Sequence, residues 1–100
     1  MKYIIDIKTT AKTGVLEAFD YYEEKQEGLG IRFLDCWEKQ IEVIKREPLL
    51  FQKKYKDFHQ ALIKPYSYHI IFELDENIII VYKVISRIWY YMDDFIIHIS

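Results

Sequence analysis

Residues 68–87, YHIIFELDENIIIVYKVISR, form two apolar arms separated by the polar tripeptide Asp75-Glu76-Asn77. Ile, Val, Tyr and Phe dominate both arms. These β-branched and aromatic side chains suit a pleated, half-buried surface. Asp and Asn bond their own backbone and tolerate positive φ, so the tripeptide supplies the turn of a β-hairpin. Period-two alternation puts Tyr68, Ile70, Phe72 and Leu74 on one face of the first arm, with His69, Ile71 and Glu73 on the other. The second arm is apolar on both faces except at Lys83, which predicts the more central strand. A hairpin alone is marginal in water. The other residues must cover it.

Residues 2–8 alternate loosely and predict a strand with one buried face, and Thr9 and Thr10 offer hydroxyls to cap a helix start. From about Ala11 to Glu27, Val15, Ala18, Phe19 and Tyr22 recur at the spacing of one helix face, with Glu17, Asp20, Glu23, Glu24 and Glu27 mostly opposite. Gly14 weakens the first turns of this helix, and Gly28-Leu29-Gly30 ends it, Gly28 serving as a left-handed cap. A second helix is expected from Ile31 to Glu47, striped by Phe33, Leu34, Trp37, Ile41 and Ile44 and stopped by Pro48. Residues 49–58 read as irregular and basic, with Lys53, Lys54 and Lys56 among Phe51, Tyr55 and Phe58. Residues 60–64 read as a short strand, and Pro65-Tyr66-Ser67 turns the chain into the hairpin. After Arg87, IWYYMDDFIIHIS is apolar and aromatic, with a terminal strand expected over Phe95–Ile99.

The predicted architecture is α+β, in the order β-α-α-β-β-β. One antiparallel sheet carries a helical hairpin on a single face, in one domain spanning residues 1–100. The expected core sets Phe19, Phe33, Trp37 and Ile41 against Ile70, Phe72, Ile80 and Tyr82 or their opposite-face neighbours. A formal net charge of −2 gives no overall basic field toward nucleic acid or membrane. The single cysteine, Cys36, makes an internal disulfide impossible and fits a reducing cytoplasm. No signal peptide or membrane-length apolar run is read. His59, His69 and His98 lack ligand spacing, so no metal or other cofactor is expected. His69 reads as a paired sheet residue and Cys36 as a small buried hydrophobe on a helix.

The runs YYEEKQEGLGIRFLDCWEKQIEVIKREP and ALIKPYSYHIIFELDENIIIVYKVISR resemble the RelE/ParE superfamily, bacterial toxins of type II toxin–antitoxin systems. The likeness covers roughly Ala11 to Arg87. It rests on Tyr21-Tyr22-Glu23, on Gly28-Leu29-Gly30 with Phe33, on Pro48, on Tyr68 and on the apolar strand ending at Arg87. The chain departs from the pattern in four places. Tyr66-Ser67-Tyr68 replaces a usual Phe-Pro-Tyr, with the proline at Pro65. His59-Gln60 stands where many members carry an Arg pair. Ser86 directly precedes Arg87 where many have a His slightly earlier, and an apolar tail from Ile88 replaces a short basic ending.

The resemblance implies a cytoplasmic toxin bound by a cognate antitoxin, with two competing activities. A ParE-like member poisons DNA gyrase by protein contact and is not a hydrolase. A RelE-like member is a ribosome-dependent mRNA endoribonuclease, which must neutralise phosphates with several cations. Under that reading the catalytic candidates are Lys64, Lys83, Arg87 and Tyr90. The subfamily-like segment from Gly28 to Phe33 and the acidic balance favour the ParE-like reading; the departures leave a non-toxic, antitoxin-binding remnant as a third. The partner-binding candidates are Ile71, Ile79, Val81 and Ile85, expected as an apolar patch on the helix-free face, together with Trp89 and Tyr90. A homodimer through the same face and the C-terminal tail folding back onto it are the competing uses of that patch. No membrane contact and no sequence-specific DNA binding are expected.

Overall fold

Both helical periodicities become helices in the computed structural model, which describes residues 2–86: α1 spans Thr9–Lys25 and α2 spans Leu29–Arg46. A 3₁₀ turn at Pro48–Leu50 follows. Five strands complete the described residues: β1 (Ile4–Ile7), β2 (Lys53–Tyr55), β3 (Phe58–Leu62), β4 (Tyr68–Asp75) and β5 (Ile78–Ser86). They form one sheet in the order β1-β5-β4-β3-β2. Strands β2 to β5 are antiparallel as expected, whereas β1 joins β5 in parallel, so the sheet is mixed. Three successive hairpins reverse the chain between β2 and β5. The helical pair supplies the long crossover that a parallel neighbour requires. Ile4 N donates to Asn77 O at 2.8 Å and Lys8 N to Val81 O at 2.9 Å, which pins β1 to β5 at both ends. The expected strand at Phe95–Ile99 lies outside the described residues.

Several local expectations change for physical reasons. Thr9 and Thr10 are the first helical residues rather than caps, and Thr10 Oγ1 instead donates to the carbonyl of Tyr82. Gly14 does not loosen α1. It is buried where α1 crosses β5, and a Cβ there would collide with the Val84 carbonyl. The basic stretch read as irregular contains β2, whose three residues are too few to show a period. In the β4–β5 turn the positive φ (56°) falls on Glu76, not on Asp75 or Asn77.

One contiguous cluster joins the helices to the sheet. Phe33, Trp37, Ile41 and Ile44 of α2 meet Ile70 and Phe72 of β4 and Ile79, Val81 and Val84 of β5. Phe19 is only half-buried and lies outside that cluster. The expected partners Ile80 and Tyr82 also face away from it. A bulge explains the parity: Ile71 pairs with Lys83 and Phe72 with Val81, leaving Tyr82 as the extra residue. Before the bulge the odd residues of β5 face the helices; after it the even residue Val84 does.

Candidate functional site

Six of the residues that carried the family resemblance, Tyr22, Glu23, Gly28, Gly30, Phe33 and Tyr68, gather at one junction, where α1, α2 and the start of β4 meet. Tyr22 stacks on Phe33 (centroids 5.7 Å apart) and meets Tyr66 edge-on at 4.8 Å, and Phe33 meets Tyr68 edge-on at 5.5 Å. Glu23, expected on the solvated face, turns inward. Its carboxylate accepts from Gly28 N at 3.0 Å and Gly30 N at 2.9 Å, satisfying free donors at the start of α2. Gly28 adopts the left-handed conformation (φ 92°) as expected, at the N-terminal cap of α2. A Cβ on Gly30 would lie 2.7 Å from the Phe19 ring and 2.8 Å from the Glu23 carboxylate, so any other residue forces those side chains to shift. These positions lie where the two helices meet. Their role is architectural.

Beside this junction, α1 and the far half of β5 border a cleft of about 460 Å³. Lys83 and Ser86 line it from β5, Tyr68 from β4, and Glu17 and Tyr21 from α1. The cleft exists because β1 ends opposite Val81, leaving the rest of β5 for α1 to flank. Gly14 lets α1 approach that closely. Of the four predicted catalytic residues, Lys83 alone reaches this cleft among the described residues. Lys64 is exposed after β3 and lines a separate depression of about 260 Å³ with Cys36, Lys39 and Gln40. Arg87 and Tyr90 lie outside the described residues. The sequence reading missed Glu17, Tyr21 and Ser86; the i, i+3, i+7 spacing of Gly14, Glu17 and Tyr21 on one helix face was the available signal.

The tyrosines here are poor proton acceptors. Burial pushes the phenols of Tyr22, Tyr66 and Tyr68 above the usual tyrosine range; neighbouring phenols add to the effect at Tyr22, the Cys36 thiol at Tyr66, and Tyr21 and Glu17 at Tyr68. Tyr82, on the helix-free face, is raised first by burial and then by the hydrogen bond it donates to Glu73 Oε1 at 3.0 Å. A phenol serving as a general base at neutral pH requires the opposite shift.

The predicted partner patch divides. Ile79 and Val81 are fully buried beneath the helices and cannot contact a partner, a correction that follows from the bulge. Ile71 and Ile85 do lie on the helix-free face. They are buried with Phe58 and flanked by Tyr55 and Tyr82. Trp89 and Tyr90 lie outside the described residues. His69 is buried in β4, and His59 Nδ1 donates to Phe51 O at 2.8 Å while its ring stacks on Phe72. Among the described residues no group of His, Cys, Asp or Glu could hold a metal ion. Nor is any described helix long and apolar enough to cross a membrane.

No family model matches the sequence, and comparison with curated proteins finds no match. Comparison with solved structures does. A chain of the chromosomal ParDE toxin–antitoxin system from P. aeruginosa superposes with a TM-score of 0.76 at 7% identity, covering 85% of this chain and 96% of that one. A chain of the RelBE2 toxin–antitoxin complex from Mycobacterium tuberculosis gives 0.62 at 17% identity, covering 87% of this chain and all (100%) of that one. A chain of the E. coli DinJ-YafQ toxin–antitoxin complex gives 0.61 at 10% identity, covering 91% and 99%. Two helices on one face of a five-stranded mixed sheet are the fold of RelE/ParE-like toxins, and this chain has it.

Proposed function

We propose that this chain is the toxin of a type II toxin–antitoxin system, held inactive by a cognate antitoxin, and that it acts in the ParE-like manner by protein contact with DNA gyrase. The fold, shared with chains of three such complexes, supports the toxin reading. The choice of activity rests on one observation: Lys83 and Lys64, the predicted catalytic cations within the described residues, line different clefts. Phosphoryl transfer on RNA needs several cations converging on one phosphate. The cleft at Lys83 also carries the carboxylate of Glu17, which repels a phosphate.

The RelE-like reading retains one supporting feature, the company of Lys83, Tyr21, Tyr68 and Ser86 in a single cleft. Expression without antitoxin separates the two. Gyrase poisoning induces DNA-damage signalling and filamentation, and the purified protein inhibits supercoiling while leaving ribosome-bound mRNA intact. Substituting Trp89 and Tyr90 by Ala then matters more than Lys64→Ala or Arg87→Ala, because protein contacts depend on aromatic anchors. Codon-specific mRNA cleavage on ribosomes that disappears in Lys83→Ala or Arg87→Ala establishes the RelE-like activity instead. Silence in both assays identifies an antitoxin-binding remnant.

A further inference from the structure

The two edges of the sheet are built differently. Strand β2 has three residues, a bulge in its pairing, Lys53 and Lys54 along it and Lys56 in the turn that follows. Short length, irregularity and lysines are the means by which proteins close an edge to further pairing. Strand β1, four residues long, is also short but has neither the irregularity nor the lysines: its sequence is Ile4-Ile5-Asp6-Ile7 and its pairing with β5 is regular. Because Ile4 N and Lys8 N point at β5, the N–H and C=O groups of Tyr3, Ile5 and Ile7 point to the open side. Ile5 and Ile7 remain half-exposed there.

The two sides of that edge differ in chemistry. On the helix side lies a cleft of about 380 Å³ lined by Lys2, Tyr3, Glu42, Lys45 and Arg46. Its three cations are exposed and outnumber its one carboxylate, Glu42, and the ion pairs among the described residues are Lys8–Asp6 and Lys53–Asp57, so none of the three is held in a salt bridge. On the other side Ile4 and Ile78, paired in register, form an apolar lip 57% and 38% exposed. A strand added to β1 alternates its side chains between these two surroundings.

We infer that the β1 edge is a docking site for an extended segment of a partner protein in which acidic and apolar residues alternate. Its backbone pairs with Tyr3, Ile5 and Ile7, its carboxylates fall over Lys2, Lys45 and Arg46, and its apolar side chains cover Ile4 and Ile78. This is recognition by strand addition, with affinity from main-chain bonds and selectivity from alternate side chains. Assigning the segment to the antitoxin rests on the proposed function; the site's chemistry does not, and the test uses a synthetic probe.

A short capped peptide alternating Val and Glu is titrated into the isotope-labelled full-length chain and followed by amide shifts and hydrogen exchange. The expected shifts concentrate on residues 3–7 and 42–46, with exchange slowed at Tyr3, Ile5 and Ile7. A peptide with Gln in place of Glu binds about tenfold more weakly, the loss expected when a few charge pairs worth about 1.4 kcal/mol together are removed. The Lys45→Glu/Arg46→Glu variant loses the preference for Glu, whereas Lys53→Glu/Lys54→Glu at the other edge keeps it. Equal binding of the two peptides, or shifts centred on β2 or on Phe58, Ile71 and Ile85, overturns the inference. So does protection of the Tyr3, Ile5 and Ile7 amides in the free chain. If that protection rises with protein concentration, a second copy is the occupant; if it does not, residues 87–100 of the same chain are. The variants are needed only to locate the charge, so a folding defect in one leaves the Glu-against-Gln comparison standing.

Discussion

The two faces of the sheet bury neighbouring residues to the same degree and hold them by different means. Ile70 and Ile71 are 0% and 2% exposed. Ile70 sits in the cluster that α1 and α2 press onto the sheet, among Phe33, Phe72, Val81 and Val84. Ile71 shares the other face with Phe58 and Ile85 and a rim of two tyrosines. The helix-covered face is largely apolar, with the His59 ring stacked on Phe72, and close to crystalline in its demands on shape. The opposite face mixes apolar residues with Glu73, His69 and Lys83. Burial fraction alone does not tell which residues hold the fold; the number of rigid elements converging on them does.

Phe33→Ala should break the covered face first. This ring is fully buried and touches Tyr22, Tyr66 and Tyr68, so its removal opens a cavity bordered by α1, α2 and β4 together. A loss of about 3–5 kcal/mol is expected in chemical denaturation. A loss below about 1 kcal/mol would mean that the junction collapses freely and is not the keystone described. Gly14→Ala is the complementary test. The added methyl meets the backbone carbonyl of Val84, which cannot rotate away as a side chain does. About 1–3 kcal/mol should be lost despite the better helix propensity of Ala, which by itself favours the variant by about 1 kcal/mol. An unchanged or raised Tm would show that α1 can ride away from β5 at no cost.

These two positions also show where the sequence was readable. The stripe containing Phe33, Trp37, Ile41 and Ile44 repeats over enough turns to declare a helix and its buried face. The arms around Asp75-Glu76-Asn77 declared a hairpin in the same way. Gly14 gave a misleading local signal, because a helix-weakening residue was needed for a contact seventy residues away in the chain, with Val84. Strand β2 was too short for a period, and the bulge at Tyr82 has no composition of its own. That single extra residue moved Ile79 and Val81 from the predicted partner patch into the core while leaving Ile71 and Ile85 on the helix-free face, where they are buried rather than exposed as the predicted patch required. The candidate cleft was half legible: Lys83 was singled out, but its neighbours on α1 depend on the approach that Gly14 permits.

A finer comparison of the faces comes from removing one methyl group from each neighbour. Ile70→Val should lose about 1–1.5 kcal/mol and Ile71→Val about 0.5 kcal/mol, the two ends of the usual range for this change. The difference reflects how well each site can close around the missing group, since the two side chains are equally buried. Equal losses would erase the distinction drawn between the faces. A larger loss at Ile71 would reverse it.

Tyr82→Phe makes the smallest change and tests the helix-free face through pH. Tyr82 bonds Glu73, and both burial and that bond hold its phenol above 10.0. A phenol whose pKa is raised by folding contributes stability that is complete below the unfolded value near 10 and is lost as pH rises through the folded value. In the unfolded chain the proton leaves first, so the alkaline side favours unfolding. At neutral pH the substitution removes one hydrogen bond to a carboxylate that water can partly replace, a loss of about 0.5–1.5 kcal/mol. Above pH 10 the variant should lose stability less steeply than the parent, because one of the four tyrosines raised among the described residues no longer titrates. The covered-face tyrosines Tyr22, Tyr66 and Tyr68 continue to do so in both proteins. Glu73→Gln should flatten the parent's alkaline slope in the same direction, and in the Tyr82→Phe background it should change nothing further. Denaturant midpoints measured between pH 7 and 11 for the four proteins of this cycle supply the answer. Parallel slopes in all four would mean that Tyr82 is ionised as easily folded as unfolded, and that the Glu73 bond does not hold this face together.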